Sequence, residues 1–264
     1  MNFLLVVFTA TAFSFTSFAN VTSRPRVYSP RPIDSESIQR QTEDAARNYQ
    51  RGVQFAEGTG VEQDYSEAAR FYRQAAEAGY VPAQYNLAYL YEKGLGVERD
   101  LKEAATWYRK AADQGDAEAQ NNLGTLYATG KGVLQNDAQA VRWYRLAAEQ
   151  NDPEGTSNLG SMYLQGRAVK RDFVRAFRLF QQAAEQGYPA AENNLALMYA
   201  NGQGVPRDYV SAYAWLDLAA MQISQCTELR DRIGKEMTPE DIERARDLAT
   251  WIRAEFARKG ETSK

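Results

Sequence analysis

Residues 83–118 read AQYNLAYLYEKGLGVERDLKEAATWYRKAADQGDAE. Ala83, Leu87, Ala88, Leu90 and Tyr91 recur at the spacing of one helix face over about three turns. Gly94 then ends that helix, and a second apolar stripe follows. Slid along the chain in 36-residue steps, the pattern returns at Arg47, Ala119, Gly155 and Ala191. Five copies therefore tile residues 47–226 without insertion or deletion. A fixed period in this range, with helical spacing inside each unit, means stacked helix pairs rather than one globular core. The predicted fold class is all-α: an α-solenoid of five 36-residue helix-turn-helix repeats, 47–82, 83–118, 119–154, 155–190 and 191–226. A helical lead-in over 35–46 precedes them, and C-terminal capping helices over 227–258 and a tail over 259–264 follow.

Each repeat is punctuated in the same way. Glycine ends the first helix in every copy, at Gly58, Gly94, Gly130, Gly166 and Gly202, where the residue past a helix end commonly needs φ > 0. A second glycine follows at Gly60, Gly96, Gly132 and Gly204, with Ala168 as the exception. Val61, Val97, Val133, Val169 and Val205 come next as an apolar plug. Asp64, Asp100, Asn136, Asp172 and Asp208 are N-caps for the second helix, accepting from the free amides of its first turn. Three of them form capping-box-like pairs: Asp64 with Glu67, Asp100 with Glu103, and Asn136 with Gln139. The second helix of copy three shows the packing stripe as Ala140, Trp143, Tyr144, Ala147 and Ala148. It closes on Gly79, Gly115 and Gly187 in three copies and on Asn151 in copy three, asparagine being the usual second choice for a left-handed residue. Pro82, Pro153 and Pro189 stand where the next helix begins.

On these residues (L-G-x-x-Y, G-x-G-V-x-x-D, A-x-x-W-Y-x-x-A-A and the closing Gly) the chain resembles the Sel-1-like repeat family, the 36-residue relative of tetratricopeptide repeats. The resemblance implies a right-handed α-superhelix whose first helices line a concave face used to hold other proteins. It also implies an adaptor role, as such arrays serve in bacterial envelopes and in the endoplasmic reticulum. The partner it points to is an envelope assembly or the sensor domain of a signalling kinase.

Composition removes most chemistry. The net charge is −3 with acids and bases interspersed, so no basic field draws nucleic acid. With no histidine and one cysteine, Cys226, a Ser/His/Asp or Cys/His nucleophile, a His/Cys zinc site and an intramolecular disulfide are all impossible within the chain. The Gly-x-Gly at 58–60 and its copies follow a helix and lack the Lys-Ser/Thr partner of a phosphate loop, so no cofactor is expected. Carboxylates recur at caps and on solvated faces, and no acid/base pair stands out. Cysteine-rich relatives in the family bind and slowly hydrolyse β-lactams, but they carry paired cysteines in each repeat, which this chain lacks. The expectation is a non-enzyme, with the β-lactam activity as the alternative.

Residues 3–19, FLLVVFTATAFSFTSFA, carry no charge and end in Ser17-Phe18-Ala19, an apolar core with a small-x-small cleavage pattern. A signal peptide over 1–19 is expected, and with it export, most simply to a bacterial periplasm. Against this, residues 1–19 hold no Lys or Arg, while Arg24, Arg26 and Arg31 lie just downstream, which favours a retained anchor and a cytoplasmic adaptor. Seventeen residues rich in Thr and Ser make a poor span, so no stable membrane insertion of the mature chain is expected. Residues 20–34, with Pro25, Pro30 and Pro32, read as a flexible tether.

The ends of the array differ from its middle, as solenoid ends must. Arg47 and Arg51 replace the usual Ala and Leu in copy one. Copy five loses its closing Gly and runs into a further helix to about Lys235. Thr238-Pro239-Glu240-Asp241 then starts a last helix with Ile242, Ala245, Leu248, Ala249, Ile252 and Phe256 as its apolar stripe.

Candidate binding residues come from the first helices. Position four is Asn86, Asn122, Asn158 and Asn194, and position three includes Tyr49, Tyr85, Asn121 and Asn193. By analogy with the tetratricopeptide layout, positions three, four, seven and eleven face the groove. Such an amide ladder has the donors and acceptors to hold an extended peptide or to tie neighbouring turns together, and the two roles can coexist. Tyr85, Tyr89 and Lys93 add an aromatic and charged patch to the same face. The expected partner is a protein or peptide. Trp107, Trp143, Trp215, Tyr108, Tyr144 and Phe180 fall at the buried position of the second helix and read as core. Cys226 reads as a buried, inert thiol, with intermolecular pairing as the alternative.

Overall fold

The computed structural model describes residues 35–262, so the expected signal peptide and tether lie outside the described residues. Among them the chain forms twelve α-helices and no strand. A lead-in and first helix merge into α1 (Ser35–Glu57), followed by α2 (Tyr65–Glu77). The next pairs are α3 (Val81–Lys93) with α4 (Leu101–Asp113), α5 (Ala117–Thr129) with α6 (Asp137–Glu149), and α7 (Pro153–Gln165) with α8 (Phe173–Ala184). The pair α9 (Pro189–Asn201) and α10 (Tyr209–Ala219) completes the repeats, and α11 (Gln225–Gly234) and α12 (Pro239–Thr262) follow. From α1 to α11 each helix packs on its neighbours in sequence, and α12 returns to pack on α10. The array is an α-solenoid. Its last helix runs to Thr262, so residues 259–262, expected as tail, are helical.

The core runs through the stack as the repeated alanines and aromatics predict. Tyr108, Trp143 and Phe180 are fully buried, as are Leu87, Leu123 and Leu195 from the facing first helices. In the L-G-x-x-Y motif the small residue lets the paired helices close: a Cβ at Gly124 would lie 2.8 Å from the Tyr144 ring. Cys226 is buried, and its thiol donates to Asn193 Oδ1 at 3.5 Å. The valine plug is only half-buried in four copies and is exposed at Val61, because copy one has no repeat before it to pack on.

The N-caps form as expected, Asp100 Oδ1 accepting from Lys102 N at 2.8 Å and Glu103 N at 3.1 Å. The reciprocal half of the capping box does not. The backbone N–H of each N-cap residue instead bonds a carbonyl of the preceding helix: Asp64 to Phe55 at 2.9 Å, Asp100 to Tyr91 at 3.0 Å and Asn136 to Tyr127 at 2.9 Å. The N-cap amide is already satisfied, which frees Glu67 to pair with Arg70 at 2.7 Å. This bond ties the two helices of each repeat across their loop, a tertiary role that local spacing does not reveal. Asp116 and Asp152 are further caps, accepting from Ala119 N at 2.8 Å and Gly155 N at 2.6 Å.

The second loop glycine has a job at the junction between repeats. A Cβ at Gly132 would stand 2.0 Å from the carbonyl oxygen of Leu101, the first residue of α4 in the repeat before it. Gly96 meets Tyr65, and Gly204 meets Phe173, in the same way. Ala168 adopts φ 54° at the equivalent place. There the junction is held differently: Arg167 donates from Nε to Asp137 Oδ2 at 3.0 Å and from Nη2 to the Ala128 carbonyl at 2.9 Å. A side-chain clamp spans the junction there.

Candidate functional site

Successive first helices α3, α5 and α7 enclose a groove of 360 Å³. Its walls carry Tyr85, Tyr89, Glu92 and Lys93 from α3, Asn122, Thr125 and Thr129 from α5, and Glu154 from α7. Arg99 and Lys131 stand at its loop edge. Of the residues expected at the site, the groove brings together Tyr85, Tyr89, Lys93 and Asn122. Tyr89 is 41% exposed, with the Lys93 ammonium 5.4 Å from its ring centroid. Lys93 also bonds Glu92 at 2.6 Å. Charges of both signs line the groove, matching the mixed charge of the chain.

Most of the asparagines have polar neighbours within the stack. The Asn86 carboxamide lies beside the Tyr49 and Tyr72 hydroxyls and favours their ionised forms. Burial outweighs it and pushes Tyr72 up to about 12. Asn122 does the same for Tyr85 and Tyr108, whose hydroxyls burial, and then the charges of Glu118 and Glu92, push above the usual phenol range. Tyr108 donates to Glu92 Oε2 at 2.9 Å, so one network joins the core of repeat two to the groove wall. Asn121 is 2% exposed and turns inward, accepting from Asn158 Nδ2 at 2.8 Å. Asn193 is held by the Cys226 thiol, and Asn194 lies half-buried on α9. Tyr49 packs between the rings of Tyr72 and Tyr80, at 5.7 and 5.1 Å between centroids. Tyr49, Asn158, Asn193 and Asn194 lie outside the groove wall itself.

Sequence reading missed Thr125 and Thr129, although they occupy positions seven and eleven of the third copy, the positions already assigned to the groove. It also missed Glu92 and Glu154, for which no periodic signal exists. A wider depression of 730 Å³ lies at Val169–Arg175, lined by one loop and the first turn of α8 with Tyr163 and Gly204, and Arg175 stacks 4.5 Å above Tyr163 within it. A cleft of 260 Å³ at the C-terminal end holds Trp215, Trp251 and Phe256. Among the described residues no group of three or more His, Cys, Asp and Glu side chains is placed to hold a metal. No described helix is long and apolar enough to cross a membrane.

Comparison with known proteins agrees with this arrangement. The Sel1 repeat model matches five times, at residues 46–80, 81–116, 117–152, 153–188 and 189–224. A solved Sel1 repeat protein from Oxalobacter formigenes is 32% identical, over 81% of this chain and 88% of that one, with a TM-score of 0.70. A protective antigen of uropathogenic Escherichia coli strains, displaying an SLR fold, is 30% identical over 85% of this chain and 56% of its own, with a TM-score of 0.55. No curated protein matches the sequence.

Proposed function

Because the chain belongs to the Sel1 repeat family, whose members are generally protein-interaction scaffolds, we propose that it binds a segment of another protein in the groove of α3, α5 and α7 and catalyses no reaction. The observation that carries this reading is the exposed Tyr89 ring beside Lys93, on a wall whose neighbouring polar groups are already tied together. An amphipathic ring on a rigid wall is a favourable anchor, since little motion is lost on binding. Tyr85, Tyr89 and Lys93 make the contacts. Tyr49, Asn86, Asn121, Asn122, Asn158, Asn193 and Asn194 fix the curvature behind them.

The proposed place of action is the bacterial periplasm. The uncharged 3–19 segment and the Ser17-Phe18-Ala19 pattern support it, as do the bacterial relatives. The mature protein is expected to begin at Asn20; a cytoplasmic protein that keeps Met1 would overturn the location.

The groove is tested by affinity capture from envelope extract with the wild type and Tyr89→Ala/Lys93→Ala. The double variant is expected to melt with the wild type and to retain its partner about tenfold less well or worse. Equal retention by both proteins would move the binding surface elsewhere.

A further inference from the structure

Glu192, the second residue of the fifth copy, is 4% exposed and its Oε2 has no hydrogen-bond partner. In repeats two and three this position is Gln84 and Gln120, both buried. Each donates from Nε2 to the carbonyl eight residues earlier, Ala76 or Ala112, at 3.1 Å. Each also accepts at Oε1 from a glutamine thirty residues later, Gln114 at 2.8 Å or Gln150 at 2.9 Å. The amide thus stitches one repeat to the end of the helix before it. In repeat four Thr156 satisfies itself on the Asp152 carbonyl at 2.6 Å. In repeat five the matching carbonyl is that of Ala184, the last residue of α8. Like Ala76 and Ala112, it already accepts one backbone N–H, from Gly187 at 2.8 Å, leaving a second lone pair.

A carboxylate has the outline of the glutamine amide but no hydrogen to give that carbonyl. A carboxylic acid does. We propose that Glu192 is held as a neutral acid donating to the Ala184 carbonyl, and that its ionisation loosens the fifth repeat and its C-terminal helices from the fourth. Loss of the proton would place two acceptors face to face in an apolar setting, a costly arrangement.

Among the described residues the surroundings supply no compensating cation. On α11 the Cys226 thiol faces Glu192, and it is neutral, pushed up by burial and then by Glu192 itself. On α8, Arg175 stacks over Tyr163, Arg178 lines the solvent-facing surface, and Glu185 beyond its end is exposed. On α10, Asp217 is paired with Arg230 at 2.8 Å, and Glu154 on α7 is exposed. Burial alone therefore moves the carboxyl from 4.5 to about 7. Because the folded value lies above the unfolded one, the stabilisation is complete below about pH 4.5 and is lost as pH rises through about 7.

Two measurements test this, neither depending on the groove. In the wild type, ¹³C-detected titration of the Glu192 carboxyl is expected to show a midpoint near 7; a midpoint near the ordinary glutamate value overturns the proposal. In urea denaturation from pH 4.5 to 8.5, the wild-type midpoint is expected to fall with pH relative to that of Glu192→Gln. At pH 8 the variant's folding constant is expected to be on the order of a hundredfold larger. Parallel curves, a variant less stable than the wild type at pH 8, or a variant that fails to fold would each overturn it, since glutamine is the residue the other repeats use there.

Discussion

Gly132→Ala is expected to lower the melting temperature by about 10 °C, and Gly60→Ala by only about 3 °C. Both glycines adopt the left-handed conformation, with φ of 73° and 76°. Adding a Cβ in that region costs about 1 kcal/mol at either place. Around Gly60 a new Cβ meets nothing within 4 Å, so that cost is the whole effect. At Gly132 it meets the Leu101 carbonyl oxygen at 2.0 Å and the carbonyl carbon at 2.4 Å. Backbone cannot rotate away as a side chain can, so repeats two and three must part there, adding about 2–3 kcal/mol of misfit. In a solenoid the term lost is a nearest-neighbour coupling, so the unfolding curve should broaden as well as shift. Thermal melts of the two variants beside the wild type decide it. Equal losses would show that conformation alone, and not contact between repeats, fixes the second glycine.

The repeat itself was legible because it is written five times. Helix spacing, the left-handed closures at Gly94 and Asn151, and the N-caps at Asp64 and its copies each follow from local chemistry, and each is present. The reason for Gly132 was not legible, since Leu101 lies 31 positions away and only packing brings the two together. Distance along the chain also hid the failure of the capping box, because the competing acceptor for Asp64 N–H sits on the preceding helix. A third of the groove lining could be read, from Tyr85, Tyr89, Lys93 and Asn122. Thr125 and Thr129 obey the same positional rule, but small hydroxyls carry no distinctive signal. Glu192 looked like one more surface carboxylate, and only comparison with Gln84 and Gln120 in space shows that it occupies a donor's place.

Asn122→Ala is expected to lower stability by about 2 kcal/mol, or about 6 °C in melting temperature, while leaving partner capture intact. The sequence left two roles open for the asparagine ladder, and here they lead to opposite outcomes. The Asn122 carboxamide lies beside the hydroxyls of Tyr85 and Tyr108, whose rings lie 5.7 Å apart between centroids. Tyr108 is fully buried and keeps its bond to Glu92, but the amide beside both phenolic oxygens is removed when Asn122 is truncated. Removing a polar neighbour from buried phenolic oxygens leaves them poorer in partners, which places the loss above that of an ordinary surface substitution. Lys93 touches that network only through Glu92, whose bond to Tyr108 does not need Asn122, so a partner anchored on Tyr89 and Lys93 should still be retained. The discriminating result is the pair of readouts taken together. A lowered melting temperature with full capture assigns the ladder to the stack; an unchanged melting temperature with capture lost would make Asn122 a contact residue and leave the tyrosine hydroxyls satisfied by other means.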